Sequence, residues 1–195
     1  MNPRAILKDG ADILGEYLYP IGFHFEVINE GKGSGGNFVT GEFKKGEIKL
    51  ELHFRYSLGM VRYHYKEKSV SHKNYMKALG VIDRCQYPGS SNDPLDGFRH
   101  LKHDIAKFGS DFTDGDHFVL LRAAREEQAH EAEIAKVRSA AAEGDDIKRA
   151  NGKRYFTQKQ YQKCITELES VHYPELLSSS ERKMLEISKR KLKST

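Results

Sequence analysis

The sequence has 195 residues, of which 38% are hydrophobic and 31% charged, and its mean hydropathy of -0.68 is low for a compact globular protein. These values predict one full domain with an appendage, or two small domains, with a modest core and exposed helices. No apolar run approaches the roughly 20 residues that a membrane span needs. We therefore expect no membrane partner.

The net charge of +4 is spread along the chain. Residues 1–110 carry 16 Lys and Arg against 13 Asp and Glu, and the remainder carries 16 against 15. This balance does not favour nucleic-acid binding, for which a basic domain is typical. The two cysteines, Cys85 and Cys164, lie far apart and in no metal-ligand spacing. We expect no metal, no cofactor and a reducing, cytoplasmic location.

The first forty-odd residues predict a helix followed by two strands. Asn2-Pro3 can cap the helix, and Tyr19-Pro20 ends it. An alternating strand then leads into the glycine-rich loop GKGSGG at residues 31–36. Because no Lys-Ser/Thr follows this loop and no helix opens after it, a hairpin loop is favoured over a phosphate-binding loop. Residues 38–44 predict the second strand.

The stretch 47–66, EIKLELHFRYSLGMVRYHYK, predicts two further strands that meet at a tight connection around Leu58-Gly59. Side chains alternate between the faces of a strand, which places the aromatic residues, Tyr56, Tyr63 and Tyr65 among them, toward the core. The alternative, in which these tyrosines are exposed and stack on nucleic-acid bases, is less favoured. If Ser57 pairs with Met60, then Tyr56 lies opposite Val61, Phe54 opposite Tyr63, Arg55 opposite Arg62 and His53 opposite His64.

A helix that begins at Pro94 carries a regular apolar stripe, made of Leu95, Phe98, Leu101, Ile105 and Phe108. We expect this helix to cover the aromatic face of the sheet. The predicted fold class is therefore α+β: a four-stranded antiparallel sheet with flanking helices over residues 1–112. This domain is followed by a connecting helix over residues 113–142 and by a helical C-terminal extension over residues 143–195.

Residues 152–171, GKRYFTQKQYQKCITELESV, carry a small residue and aromatics at the spacing at which two helices of a hairpin pack. They resemble the second half of a tetratricopeptide motif, with Cys164 in place of the usual alanine and Pro174 two positions early. One such repeat cannot bury its own faces, so a neighbouring helix is required. The resemblance implies a helical hairpin region that binds another protein.

The polar face of the predicted hairpin supplies the first candidate site, His53, Arg55, Arg62 and His64. Two arginines directly opposed on a ladder are unfavourable by a few tenths to about 1 kcal/mol. One interpretation is that an anion, such as phosphate, a carboxylate or a nucleic-acid backbone, is bound between them. The alternatives are that acidic side chains of a neighbouring segment pair with the arginines, or that both arginines extend into water.

The helix after Pro94 supplies a secondary candidate, because Asp96, His100 and Asp104 are four residues apart and share one face. A carboxylate-histidine-carboxylate group can orient a general base or bind a metal. Ordinary salt bridges on a solvated face explain the same pattern, and this interpretation is favoured.

No GxSxG, HExxH, CxxC or paired-carboxylate signature occurs in the sequence. We therefore predict a non-catalytic cytoplasmic protein that binds another protein, as an adaptor, through its helical C-terminal region and its polar Arg/His sheet face. The alternative is a phosphate-directed enzyme or nucleic-acid-binding domain that uses the cluster of His53, Arg55, Arg62 and His64.

Overall fold

The structure, a computed structural model, describes residues 2–89 and 92–193. The chain forms two compact units, residues 1–129 and residues 130–195. Within the first unit lie α1 (Pro3–Leu18), β1 (His24–Gly33), β2 (Gly36–Lys45), β3 (Ile48–Phe54), β4 (Leu58–Tyr65), β5 (Lys68–Ser71), α2 (His72–Ala78), α3 (Asp96–Phe108) and α4 (Ser110–Thr113). The helix α5 (Phe118–Thr157) begins in the first unit and ends in the second, which also holds α6 (Tyr161–Glu169) and α7 (Ser179–Lys193).

The predicted α+β class is confirmed, with five strands rather than four in the described ranges. The sheet is antiparallel, and its strand order β1-β2-β3-β4-β5 follows the sequence. The additional strand, β5, has only four residues, too few to show an alternating pattern. The pairing shifts by one residue at two bulges, between Val27 and Asn29 and between Leu52 and Phe54.

The predicted register of the β3-β4 hairpin is wrong, although the assignment of its faces is mostly right. Tyr63 pairs with Leu50 rather than with Phe54, and Phe54 pairs with Leu58. Leu58 and Gly59 belong to β4, and the turn is formed by residues 55–57. From Ile48 to Leu52 the pairing is shifted by four residues, and an even shift keeps these residues on their predicted faces because side chains alternate with a period of two.

The inward face of β3 forms the centre of the core, where Leu50, Leu52 and Phe54 are fully buried. Phe98 of α3 stacks on Phe54 with ring centroids 6.0 Å apart, so this helix covers the aromatic face. Tyr63 is also fully buried. Tyr56, in contrast, is 70% exposed because it lies in the turn and not in a strand, which corrects its predicted core position.

Helix α1 packs against α3 at a glycine. A Cβ atom on Gly10 would lie 2.5 Å from three atoms of the Phe98 ring. Phe98 is fully buried and already stacked on Phe54, so its ring has little room to move. The absence of a side chain at Gly10 thus sets how closely the two helices approach.

The second unit has its own small core, made of Cys164, Leu168, Val171 and Leu177 with Tyr155, Phe156, Met184 and Leu185 packed around it. Gly152 of α5 lies against Leu168 of α6, where an added Cβ would come within 2.6 Å of the leucine side chain. The small residue therefore lies at a helix contact. The tetratricopeptide resemblance itself stays a prediction.

Helix α7 begins with a capping box between Ser178 and Glu181. The Glu181 amide donates to Ser178 Oγ at 3.3 Å, and the Ser178 amide donates to Glu181 Oε2 at 2.7 Å. The carboxylate is fully buried and also binds Arg149 at 3.1 Å and Lys153 at 2.9 Å. Burial alone would raise the pKa of Glu181, but the bonds from Arg149, Ser178 and Lys153 outweigh it and lower that pKa to about 2.

Over residues 2–89 and 92–193, no helix combines the length and apolar character that crossing a membrane requires.

Substitution of Gly10 by alanine should reduce the free energy of unfolding by about 1–3 kcal/mol, because the new methyl group overlaps a ring that cannot shift. Equilibrium urea unfolding measures this loss. Gly59→Ala is the matched control, since a Cβ there meets only the His53 carbonyl oxygen, at 3.6 Å. Equal effects of the two substitutions would refute the close-approach explanation.

The buried carboxylate of Glu181 should make stability depend on pH. Because folding lowers its pKa, its contribution is fully present above about pH 5 and is lost as the pH falls toward 2. We expect the free energy of unfolding of the wild type to fall by up to about 3 kcal/mol as the pH is lowered through this range, and Glu181→Gln to lack this fall. Urea unfolding of wild type and variant between pH 7 and about pH 3 tests this. Glu186→Gln, at an exposed position of α7, should keep the wild-type profile.

Candidate functional site

The first candidate site lies on the outward face of the sheet, where Arg62 is paired. In β4 it lies opposite Glu51 and not opposite Arg55. Its Nη2 atom lies 3.0 Å from Glu127 Oε1 and also donates to Ser69 Oγ at 3.1 Å. For Arg62, the structure matches the interpretation in which an acid from a neighbouring segment pairs with the arginine.

Glu127, on α5, is the acid concerned, and its side chain is only 8% exposed. Its Oε2 atom accepts hydrogen bonds from the amide and hydroxyl of Ser71, at 2.9 and 2.8 Å, and from Asn74 Nδ2 at 2.9 Å. Burial opposes ionisation, yet the bonds from Ser71 and Asn74 together with the charge of Arg62 lower the pKa of Glu127. The carboxylate therefore joins the start of α5 to the edge of the sheet.

The two histidines of this candidate site have different partners. His64 Nε2 lies 2.9 Å from Glu51 Oε2. Burial lowers the pKa of His64, against the opposing effect of Glu51. His53 lies on β3, where its Nδ1 atom is 3.2 Å from Thr40 Oγ1 and its ring stacks on Phe38 with centroids 5.5 Å apart.

Arg55 lies apart from this paired group, against the glycine-rich turn between β1 and β2. Its guanidinium occupies the space that a side chain on Gly35 would need, and its Nη2 atom would lie 3.3 Å from a Cβ on Gly33. Tyr56 holds the same turn by donating a hydrogen bond to the Gly35 carbonyl oxygen at 2.8 Å. Gly33 and Gly35 therefore make room for the side chain of Arg55, and Gly36 makes room for that of Tyr56. The Nε atom of Arg55 is buried and has no hydrogen-bond partner among the described residues.

The secondary candidate residues each contact a different group. Asp96 binds Arg99 within the same helix. The ring of His100 packs against Gly89, where it fills the space of a side chain. Asp104 points into the core and is fully buried, so it does not lie on the solvated face that the helical spacing predicted.

Asp104 belongs to a buried polar cluster with His72, Cys85 and Tyr63. Its Oδ2 atom lies 3.3 Å from His72 Nε2, and His72 Nδ1 lies 2.9 Å from the Tyr63 hydroxyl. The possible ligand atoms of His72, Cys85 and Asp104 all lie within 4.8 Å of one another. His72 is 4% exposed, whereas Cys85 is half-buried.

The protonation states of the cluster follow from its surroundings. Burial would raise the pKa of Asp104, but interactions with His72, with the Gln86 and Tyr87 amides and with His103 lower it to about 2. Burial, helped by the nearby Asp104 charge, raises the pKa of Cys85 to about 11. A nucleophilic cysteine needs a lowered pKa. This arrangement therefore does not favour thiolate catalysis, although it contains Cys, His and Asp.

The sequence carries a signal for the burial of two of these residues. His72 shares a helix face with Tyr75 and Met76, both of which are fully buried. Asp104 lies three residues after Leu101 and four before Phe108, on the predicted apolar stripe. A polar residue on an apolar stripe indicates a buried polar contact, whereas the four-residue spacing of Asp104 from His100 predicts a solvated face.

Comparisons with protein-family models, with curated proteins and with solved structures found no match to this chain.

Removal of the buried carboxylate in Glu127→Ala should cost about 2–4 kcal/mol, because Arg62 and the Ser71 amide both lose their partner. Arg62→Met should partly rescue this variant. We expect a double-mutant cycle by urea unfolding to give a coupling energy of at least about 1 kcal/mol. Gln128→Ala, at the next and exposed position, should change stability by less than about 0.5 kcal/mol. If the effects of the two substitutions on the free energy of unfolding simply add, then Arg62 and Glu127 do not stabilise each other.

Proposed function

We propose that this protein is a non-catalytic, cytoplasmic protein-binding protein, an adaptor whose helical region binds a helix of another protein. The observation that carries the proposal is the exposed middle of α5. Every residue from position 128 to position 140 is exposed, although the helix is continuous through this segment. The free thiols Cys85 and Cys164 support a reducing compartment.

The exposed segment of α5 carries apolar side chains on one side. Ile134 is 38% exposed and Val137 is 61% exposed, and residues three apart lie next to each other on a helix. The segment gains little from packing within its own chain, while most of the stability of protein helices comes from burial of an apolar face. A partner helix placed on Ile134 and Val137 would provide that burial, as in other helix pairs.

Charges around these two residues indicate what the partner presents. Glu131 and Glu133 precede Ile134, and Lys136 and Arg138 follow it. The matching partner is a helix with an apolar stripe that has basic residues near Glu131 and acidic residues near Arg138. Such charges at the rim mainly determine partner choice and orientation, while the apolar contact provides affinity.

A photo-crosslinking amino acid at Val137 tests the proposal in cells. We expect one discrete adduct with another protein, and little or none from the same group at Ser139, which is exposed on the opposite side of α5. The partner is then identified and purified. The combined substitution Ile134→Asp and Val137→Asp should weaken its binding at least about tenfold, since burying a charge is costly. Ser139→Asp is the matched control and should leave the affinity within about twofold.

Three results would contradict the adaptor proposal. Equal crosslinking from positions 137 and 139 would show that the apolar side is not recognised. Unchanged affinity of the Ile134→Asp and Val137→Asp double variant for the purified partner would also show that the apolar side is not recognised. An adduct between two copies of this chain would assign the surface to self-association.

A second candidate function, anion binding, is favoured by one observation at Arg55. This guanidinium has no carboxylate within ion-pair distance in the described part of the chain, and its Nε atom is buried without a partner. The phosphate-directed alternative therefore centres on Arg55 rather than on the paired Arg62 and His64. Saturable binding of inorganic pyrophosphate that is lost in Arg55→Ala, but kept in Arg62→Ala, would favour this function.

A further inference from the structure

Three separate elements of the first unit bring metal-binding side chains together. His72 is the first residue of α2, Cys85 follows a short 3₁₀ turn at Ile82–Arg84, and Asp104 lies in the middle of α3. One possible ligand atom from each lies within 4.8 Å of the other two. The adaptor function does not use these residues, and packing alone does not require polar groups here.

The imidazole of His72 has one nitrogen engaged and one nitrogen without a hydrogen bond. Nδ1 lies 2.9 Å from Tyr63 Oη, while Nε2 is buried and has no hydrogen-bond partner among the described residues. Nε2 is 3.3 Å from Asp104 Oδ2, but an N–H group on it would not point at that oxygen. A buried polar atom without a partner costs about 1–3 kcal/mol. If Nδ1 carries the proton, Nε2 presents a lone pair to the cluster.

The spacing of the donor atoms is close to that of a tetrahedral metal site. With metal–ligand bonds of about 2.0 Å to nitrogen and oxygen and about 2.3 Å to sulfur, neighbouring ligand atoms are roughly 3.3–3.6 Å apart. Nε2 of His72 and Oδ2 of Asp104 are already 3.3 Å apart. The sulfur of Cys85 lies within 4.8 Å of both, so closure needs a shift of about 1 Å at a residue in a partly exposed loop.

Outer hydrogen bonds hold two of the three side chains in position. The amides of Gln86 and Tyr87 donate to the Asp104 carboxylate at 2.9 and 3.0 Å, which connects the loop after Cys85 to α3. His103 Nδ1 lies 3.0 Å from Asp104 Oδ1, and Tyr63 fixes the ring of His72. Partners of this kind orient metal ligands and raise metal affinity.

We propose that His72 Nε2, Cys85 Sγ and an Asp104 oxygen bind a zinc ion, with the fourth position open to water or an external ligand. A nitrogen, a sulfur and an oxygen donor together match Zn²⁺, whereas Mg²⁺ and Ca²⁺ prefer oxygen donors alone. The half-buried Cys85 gives the ion a route from solvent. This proposal reverses the expectation, based on cysteine spacing, that the chain binds no metal, because the three ligands come together only in the fold.

Titration of the purified chain with Co²⁺ tests the site, because cobalt is a coloured substitute for zinc. We expect a thiolate-to-cobalt absorption band at one equivalent of metal, and its loss when Zn²⁺ is added in competition. Cys85→Ser should abolish the band and weaken metal binding at least about tenfold. Cys164→Ser is the matched control: Cys164 lies buried in the second unit, and this variant should keep both the band and the affinity.

A second measurement uses the unmodified sequence, so that it does not depend on the folding of a variant. Zn²⁺ should slow the alkylation of Cys85 by iodoacetamide at least about tenfold, as measured by peptide mapping, because a metal-bound thiolate is blocked. Mg²⁺ at the same concentration should leave the rate unchanged. The proposal is overturned by a wild-type chain without a thiolate–cobalt band, by a band that persists in Cys85→Ser, or by alkylation that zinc does not slow.

Discussion

The fold depends on the burial of one face of β3. Leu50, Leu52 and Phe54 alternate along this strand, all are fully inaccessible to solvent, and the other strands and helices of the first unit are arranged to keep them so. Neighbouring strands extend the apolar face, and α3 closes it through the stacking of Phe98 on Phe54. Gly10 lets α1 approach the ring of Phe98 closely. Each fully buried large apolar side chain contributes about 1.5–3 kcal/mol.

The faces of the sheet were predictable from the sequence, whereas its register was not. Alternation of apolar and polar residues decides which side of a strand is buried, but any shift by an even number of residues gives the same two faces. The register depends instead on where the chain turns. Residues 55–57 form the turn, and a bulge near Leu52 absorbs one residue. Neither feature has a signature comparable to Asn-Gly, so Arg55 was predicted opposite Arg62.

The polar residues of the candidate sites show a different limit of sequence reasoning. Their types were recognised, but partners distant in the chain could not be. Arg62 is neutralised by Glu127, 65 positions later, and Asp104 meets His72, 32 positions earlier. Helical spacing grouped Asp104 with Asp96 and His100 on a solvated face, but Asp104 is fully buried, and its burial makes this carboxylate chemically distinctive. Only the tertiary structure brings His72, Cys85 and Asp104 to within reach of one ion.

The two edges of the sheet differ in how they are finished, and this bears on aggregation. An open edge strand offers unpaired backbone groups to a strand of another molecule. At one edge, β5 has only four residues, and Glu127 accepts a hydrogen bond from its last amide, at Ser71. At the other edge, the ten residues of β1 carry charged side chains and the bulge between Val27 and Asn29. A short edge strand bonded to Glu127 and a long, bulged, charged edge strand both oppose the addition of a strand from another molecule.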